Sequence, residues 1–182
     1  NFIPKGYSVG HDLDYFHCTS NNTIFGTQMK AFPTCEVPLV CDMSSDIFSR
    51  QLDFTQFDMI YAGAQKNLGP AGATLVAVKP SILGKSGRSI PSMLDYQTHI
   101  DGESMFNTPP VFSVYTSLLT LRWMKEQGGL AAMEKVNTAK AALLYNEIDR
   151  NRLFYGTAAA EDRSDMNACF LLQDESHAEV FN

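Results

Sequence analysis

The stretch with the most chemistry in this 182-residue chain is Tyr61–Gly72, which reads YAGAQKNLGPAG. It carries one lysine, Lys66, with Gln65 before it and Asn67 after it. Apolar runs on both sides predict two strands, and the glycines and proline between them predict a tight turn. A lysine held on such a turn is expected to be partly buried and available as an amine nucleophile. An ordinary exposed loop lysine is the alternative.

Two more polar side chains follow predicted strands. Asp42 comes directly after the apolar run Val37–Cys41, and Thr23 lies in a polar turn after the aromatic-rich run Asp14–Cys18. Ligands of open α/β sheets bind beyond the carboxyl ends of the strands. Thr23, Asp42 and Lys66 are therefore expected to be neighbours at one edge of a sheet.

A fourth polar feature, Asn107 with Thr108, precedes a predicted helix. An amine, a carboxylate and neutral hydrogen-bond donors together suit a cofactor with an aldehyde, a ring nitrogen and a phosphate, and pyridoxal 5′-phosphate is that cofactor. A lysine forms its Schiff base, and an aspartate beside the ring nitrogen keeps the ring an electron sink. Each residue alone has a simpler explanation, since Asp42 could cap a turn or helix and Thr23 could be a turn residue.

The elements that must position these residues alternate between strands and helices, which predicts an α/β fold. The strands are continuously apolar, which favours strands covered on both faces. Thr108-Pro109-Pro110 opens a helix that Gly128-Gly129 ends, and this boundary predicts a hinge near Gly128. Leu130–Arg150 is a second amphipathic helix, Met166–Leu172 is a predicted strand, and the long span 81–107 is predicted to be loop.

The composition is that of an ordinary globular protein with 45% hydrophobic residues. A net charge of −6 argues against nucleic acid or an anionic membrane as the main partner.

The four cysteines form no CxxC pair and no metal-type spacing with the four histidines, so no metal is expected. The cysteines are predicted to be reduced core residues of a cytoplasmic protein. His17 is predicted to be a satisfied core histidine. Neither a signal peptide nor a membrane span is visible.

Five motifs resemble the phosphoserine aminotransferase family, which belongs to the fold-type I pyridoxal-phosphate aminotransferases. The resemblance implies part of the large mixed-sheet cofactor domain over residues 1–127 and the start of the small C-terminal α+β domain over residues 128–182. It runs through almost the whole chain. The motifs are NNTIFGTQ at 21–28, CDMSSDIFSR at 41–50, YAGAQKNLGPAG at 61–72, NTPPVFSVY at 107–115 and MNACFLL at 166–172.

Four residue roles within one subunit are implied by the resemblance. Lys66 would hold the cofactor as a Schiff base and act as the proton-transfer base. Asp42 would pair with the pyridine nitrogen, and Thr23 would hydrogen-bond the ring near its 3′-oxygen. Gln65 would hold the phosphate.

The resemblance also implies an assembly and a reaction. Asn107 and Thr108 would reach the phosphate of the neighbouring subunit's cofactor, which implies a homodimer with shared active sites. The substrates would be L-glutamate and 3-phosphohydroxypyruvate, giving L-phosphoserine and 2-oxoglutarate. This reaction serves serine biosynthesis in the cytoplasm, and the family also acts in pyridoxine synthesis in some bacteria.

The chain departs from the family pattern at both ends. It begins at Asn1 without a methionine, and it lacks the glycine-rich phosphate turn, the stacking aromatic residue and the substrate arginine of the family's N-terminal part. It is therefore expected to be an incomplete piece that is inactive in isolation. Two alternatives are a non-catalytic truncated relative and another fold-type I aminotransferase with a different oxo-acid substrate.

Overall fold

The computed structural model describes residues 1–181, so Asn182, the last residue of the expected second domain, lies outside the described residues. The strands are β1 (Phe16–Thr19), β2 (Asn21–Asn22), β3 (Thr27–Gln28), β4 (Leu39–Asp42), β5 (Met59–Gly63), β6 (Thr74–Val78), β7 (Phe154–Gly156) and β8 (Phe170–Leu172). The helices are α1 (Tyr96–Asp101), α2 (Val111–Glu126), α3 (Gly129–Arg150) and α4 (Ala178–Phe181).

The main sheet has four strands in the order β1-β4-β5-β6. β1, β4 and β5 are parallel, and β6 returns antiparallel to β5. In this register Thr19 pairs with Asp42, and Asp42 pairs with Tyr61. The carboxyl ends of β1, β4 and β5 therefore meet at one edge of the sheet, as the sequence predicts.

One face of this sheet carries the core. Cys18, Cys41, Ile60 and Ala62 are all buried there. All four cysteines are free, but Cys35 and Cys169 are only half-buried, so the prediction of core cysteines holds for Cys18 and Cys41 alone. Side chains alternate between the two faces of a strand, so the residues between these point the other way. On that second face His17 is exposed, and its ring shares a 3.0 Å hydrogen bond with the Tyr61 hydroxyl. The prediction that His17 is buried in the core is thus wrong, although its ring does have a hydrogen-bond partner.

The second face also corrects the prediction of strands buried on both sides. β6 is largely exposed, with Val76 at 37%. A groove of about 860 Å³ runs along this face between the strands and the segment 82–96. The apolar composition of the strands is real, but in residues 1–181 the second face is only partly covered, and Val40, Met59 and Tyr61 are half-buried there.

Two helices follow the sheet, and a pair of glycines separates them. Gly128 and Gly129 both have positive φ, at 102° and 73°, which lets the chain turn sharply between α2 and α3. Beyond α3, β7 and β8 form a small antiparallel sheet that packs on that helix around Tyr145 and Ile148. In residues 1–181 none of the helices combines the length and the apolar character that a membrane crossing needs.

Two segments differ from the sequence prediction. The long predicted loop contains the short helix α1, which begins after Asp95, whose carboxylate accepts a hydrogen bond from the Gln97 amide. The strand predicted over Met166–Leu172 is reduced to Phe170–Leu172, because Met166 and Asn167 donate their backbone amides to the Ser164 hydroxyl rather than to a ladder.

Candidate active site

The turn that carries Lys66 is closed by its own backbone. The Ala64 amide donates to the Ala73 carbonyl at 2.9 Å, and the Gly69 amide donates to the Ala64 carbonyl at 2.7 Å. The residue after Lys66, Asn67, donates its side-chain amide to the Ile47 carbonyl at 2.6 Å. These bonds fix Lys66 just beyond the end of β5.

The Lys66 side chain lies in the open at the carboxyl edge of the sheet. Its Nζ donates to Thr23 Oγ1 at 3.3 Å, so the predicted proximity of these two residues is confirmed. Both residues are exposed, and the expected partial burial of Lys66 is therefore wrong in this chain. The turn itself is packed, with Ala64 and Leu68 buried, but the side chain of Lys66 points away from that packing.

Asp42 ends β4 at the same edge of the sheet and is half-buried. Its Oδ1 accepts a hydrogen bond from the Ser44 amide at 2.8 Å, and Ser44 Oγ accepts one from the Gly63 amide at 3.0 Å. Asp42 can therefore cap this turn, as the simpler explanation from sequence has it, and also lie at the site. Burial, with the Asp42 carboxylate as the next cause, raises the pKa of Tyr61 on the adjoining strand, so that hydroxyl stays protonated.

The other three predicted site residues are less closely tied to Lys66. Gln65 is exposed, and its amide folds back over Gly63, where a Cβ atom would lie 2.6 Å from Gln65 Oε1. Asn107 and Thr108 are exposed ahead of α2, and the Asn107 side chain donates to the Thr108 carbonyl at 3.2 Å. Among the described residues, no hydrogen bond joins either of these two to Lys66.

The sequence reasoning missed the support that α2 gives to the lysine turn. Ser113 Oγ donates to the Ala71 carbonyl at 2.6 Å. Ser113 and Ser117 are buried one helical turn apart, against Gly72 and Gly69 respectively. A Cβ at Gly69 would lie 2.8 Å from Ser117 Oγ, so the glycines permit the helix to approach. The sequence feature that could have predicted this contact is a pair of serines, four residues apart, within an apolar helix.

A buried carboxylate behind the site was also missed. Asp46 is 1% exposed and accepts hydrogen bonds from Ser20 Oγ and from Gln28 Nε2, the latter at 3.1 Å. Arg50 lies 3.5 Å from it as the ion-pair partner. Burial raises the pKa of Asp46, and these partners oppose that effect. The network joins the loops that follow β1 and β4. The sequence feature that could have predicted it is a single acidic residue among the serines and apolar residues of 43–48.

These side chains are an amine, a hydroxyl and a carboxylate at the meeting point of three strand ends. In the described part of the chain there is no group of three or more histidine, cysteine, aspartate and glutamate residues that could hold a metal ion. The arrangement is that of an open α/β sheet with an exposed amine at the carboxyl edge of its strands, the edge at which ligands of such sheets bind.

The family comparison agrees with this arrangement. The family described as Aminotransferase class-V matches residues 8–181. The chain therefore belongs to the class-V aminotransferase family, and the mixed sheet with its flanking helices is the fold of that family.

Individual relatives are phosphoserine aminotransferases. The enzyme of that name from Flavobacterium psychrophilum is 70% identical over all 182 residues, which make up 51% of its length. A solved phosphoserine aminotransferase, studied for radiation damage of its Schiff base, superposes with a TM-score of 0.94 at 46% identity and covers 99% of this chain and 51% of that one. A pyridoxal-phosphate-bound phosphoserine aminotransferase from Trichomonas vaginalis superposes with a TM-score of 0.86 at 36% identity, over 92% and 47% of the two chains. The chain thus spans about half the length of the relatives it matches.

Proposed function

We propose that this chain is the part of a phosphoserine aminotransferase that binds pyridoxal 5′-phosphate through Lys66. The enzyme transfers the amino group of L-glutamate to 3-phosphohydroxypyruvate, giving L-phosphoserine and 2-oxoglutarate for serine biosynthesis. The observation that carries the proposal is the contact between Lys66 Nζ and Thr23 Oγ1 at 3.3 Å, at the edge of the sheet where β4 ends in Asp42. The 70% identity to a phosphoserine aminotransferase over the whole chain supports this choice within the family.

The residues present fit the cofactor by their chemistry. The exposed amine of Lys66 suits the aldehyde, the Asp42 carboxylate suits a protonated ring nitrogen, and the Thr23 hydroxyl suits the ring oxygen. Gln65 carries an amide for the phosphate. When bound, the cofactor supplies an aldehyde that receives the amino group and a ring that withdraws electrons.

The chain's own residues then orient groups and move one proton. Lys66 Nζ is the base that takes the proton from the substrate α-carbon and returns it on the cofactor side. Asp42 keeps the ring nitrogen protonated through its negative charge. In residues 1–181 no salt bridge involves Asp42, so its charge is available for this purpose.

The assembly that we propose is a cytoplasmic homodimer in which Asn107 and Thr108 reach the phosphate of the other subunit's site. Two features support it: both residues are exposed, and they directly precede a helix whose first residues, Val111 and Phe112, are 67% and 73% exposed. Exposed apolar side chains in such a cluster are typical of interfaces. The division into a cofactor domain (1–127) and a smaller domain (128–182), and a role in pyridoxine synthesis, remain parts of the same proposal.

The function is tested with the purified protein that carries this chain, loaded with pyridoxal 5′-phosphate. With L-glutamate as donor, 2-oxoglutarate should form at least about tenfold faster with 3-phosphohydroxypyruvate than with glyoxylate or pyruvate, because a phosphate recognised by charge contributes more than about 1.4 kcal/mol. A preference for glyoxylate or pyruvate would point to a related aminotransferase with another substrate. Bound cofactor without any transfer would point to a non-catalytic relative.

A further inference from the structure

A cluster of polar side chains ties the turn between β2 and β3 to a segment more than 140 residues further along the chain. The Asn167 side-chain amide donates to the Thr23 carbonyl at 3.0 Å. The Cys169 sulfur contacts the same carbonyl at 3.6 Å and the Ile24 carbonyl at 3.4 Å. The same sulfur lies 3.0 Å from the place that a Cβ atom would take at Gly26. The segment 167–169 therefore lies directly on the turn that presents Thr23.

Both ends of the Asn167 carboxamide are used. Its Nδ2 donates to Thr23, and its Oδ1 accepts a hydrogen bond from Asn21 Nδ2 at 3.0 Å. Its backbone amide also donates to Ser164 Oγ at 3.2 Å. The asparagine carboxamide carries a donor and an acceptor on one planar group, whereas an ionised aspartate only accepts, so aspartate could preserve one of these bonds but not the other.

The far side of the cluster is buried, and it holds Asn167 in place. Asn21 is 3% exposed and Ser164 is 1% exposed, and Ser164 Oγ donates to Asn21 Oδ1. The Ser45 hydroxyl donates to the Asn21 carbonyl at 2.8 Å. From α3, the Tyr145 hydroxyl donates to the Ser164 carbonyl at 3.0 Å. A buried and satisfied polar network of this kind is rigid.

The turn has only a few ties to the rest of the protein. Thr23, Ile24 and Phe25 are all exposed, and the local hydrogen bonds run from the Ile24 and Phe25 amides to Asn22 Oδ1 and from the Gly26 amide to the Asn22 carbonyl. Its far end is held by two bonds from elsewhere in the chain, from the Ser164 amide to the Gly26 carbonyl at 2.9 Å and from the Asn1 side chain to the Phe25 carbonyl at 3.4 Å. At the Thr23 carbonyl the tie is made by Asn167 Nδ2, with Cys169 Sγ beside it.

We propose that Asn167 is a positioning residue for Lys66: by holding the Thr23 carbonyl it keeps Thr23 Oγ1 within hydrogen-bond distance of Lys66 Nζ. The link from Asn167 to Thr23 stands on the geometry alone, whereas its consequence for cofactor binding rests on the proposed function. The segment around Asn167 follows the hinge glycines, so this contact also connects the second half of the chain to the lysine.

The test compares Asn167→Asp with Asn137→Asp. Asn167→Asp keeps the acceptor for Asn21 and removes the donor to Thr23. Asn137 offers a matched control, because its side chain donates to the Ser49 carbonyl at the same 3.0 Å but lies away from the turn. Two quantities are measured in the protein that carries this chain: amide hydrogen exchange over residues 22–26 without cofactor, and the apparent Kd for pyridoxal 5′-phosphate from its visible absorbance.

Asn167→Asp should speed exchange over residues 22–26 and raise the apparent Kd, each by about threefold to tenfold, the effect of one lost hydrogen bond. Asn137→Asp should leave both quantities at their wild-type values, even though the two variants lose similar thermal stability. The proposal is overturned if Asn167→Asp changes neither quantity, or if Asn137→Asp changes both equally. If the wild type binds no cofactor, the proposed function fails separately, and the exchange measurement alone decides whether Asn167 anchors the turn.

Discussion

At the residue scale, the role that we propose for Asp42 depends on its environment. Its neighbours across the strands are Thr19 and Tyr61, both uncharged side chains, and burial helps to keep the Tyr61 hydroxyl protonated by raising its pKa. The hydrogen bond from the Ser44 amide fixes the orientation of the carboxylate. A fixed, half-buried carboxylate stabilises a cation placed against it, such as a protonated ring nitrogen.

The corresponding variant is Asp42→Asn, which keeps the shape and removes the charge. A carboxylate at close range raises the pKa of a cationic group by about one to three units, so turnover should fall by roughly 10- to 1000-fold. Asp53→Asn is the matched control, because Asp53 makes the same type of bond to the amide two residues on, at 2.9 Å, and lies before β5 begins. Transamination rates check both, and an Asp42→Asn enzyme as fast as the Asp53→Asn control would contradict the assigned role.

At the element scale, the position of Lys66 depends on how closely α2 approaches the turn between β5 and β6. Gly72 has a φ of 121°, and a Cβ there would lie 2.7 Å from Ser113 Oγ. The same serine donates to the neighbouring Ala71 carbonyl. The helix and the turn therefore fit together only with glycine at this position.

Gly72→Ala should lower the free energy of unfolding by about 2–4 kcal/mol, since backbone strain and an overpacked contact act together. Gly84→Ala separates the two effects. Gly84 also has a positive φ, at 69°, but nothing lies within 4 Å of its Cβ position, so the loss there should be only about 1 kcal/mol. Urea denaturation measures both losses, and equal values would mean that the contact with α2 contributes nothing.

The elements themselves were largely predictable from sequence, and their tertiary surroundings were not. Apolar runs and turn residues predict β4, β5 and β6, and the glycine pair predicts the break between α2 and α3. The polar network around Asp46 and Asn167 was missed, because its partners are far apart in the chain and each looks like an ordinary turn or loop residue. The hydrogen bonds from the Met166 and Asn167 amides to Ser164 Oγ also shortened the strand predicted over Met166–Leu172.

At the scale of the whole molecule, apolar surface remains open. Periodicity indicates which side chains seek burial, but it does not say what covers them. Three exposed features could therefore not be predicted: the second face of the sheet, the start of α2 at Val111 and Phe112, and Lys66. They occur in a chain that spans about half the length of its relatives. The meeting of Thr23 and Lys66 at one edge of the sheet was predictable from sequence, whereas the exposure of both residues was not.

The central claim is that Lys66 is the amine that holds the cofactor, and it can be measured directly. The protein that carries this chain is incubated with pyridoxal 5′-phosphate and reduced with borohydride, and the modified lysine is located by peptide mass spectrometry. The adduct should be found on Lys66, and Lys66→Ala should abolish it while Lys79→Ala, a lysine paired with Asp58 at 3.1 Å, leaves it unchanged. An adduct on another lysine in the wild type, or one that persists at full yield in Lys66→Ala, would contradict the account.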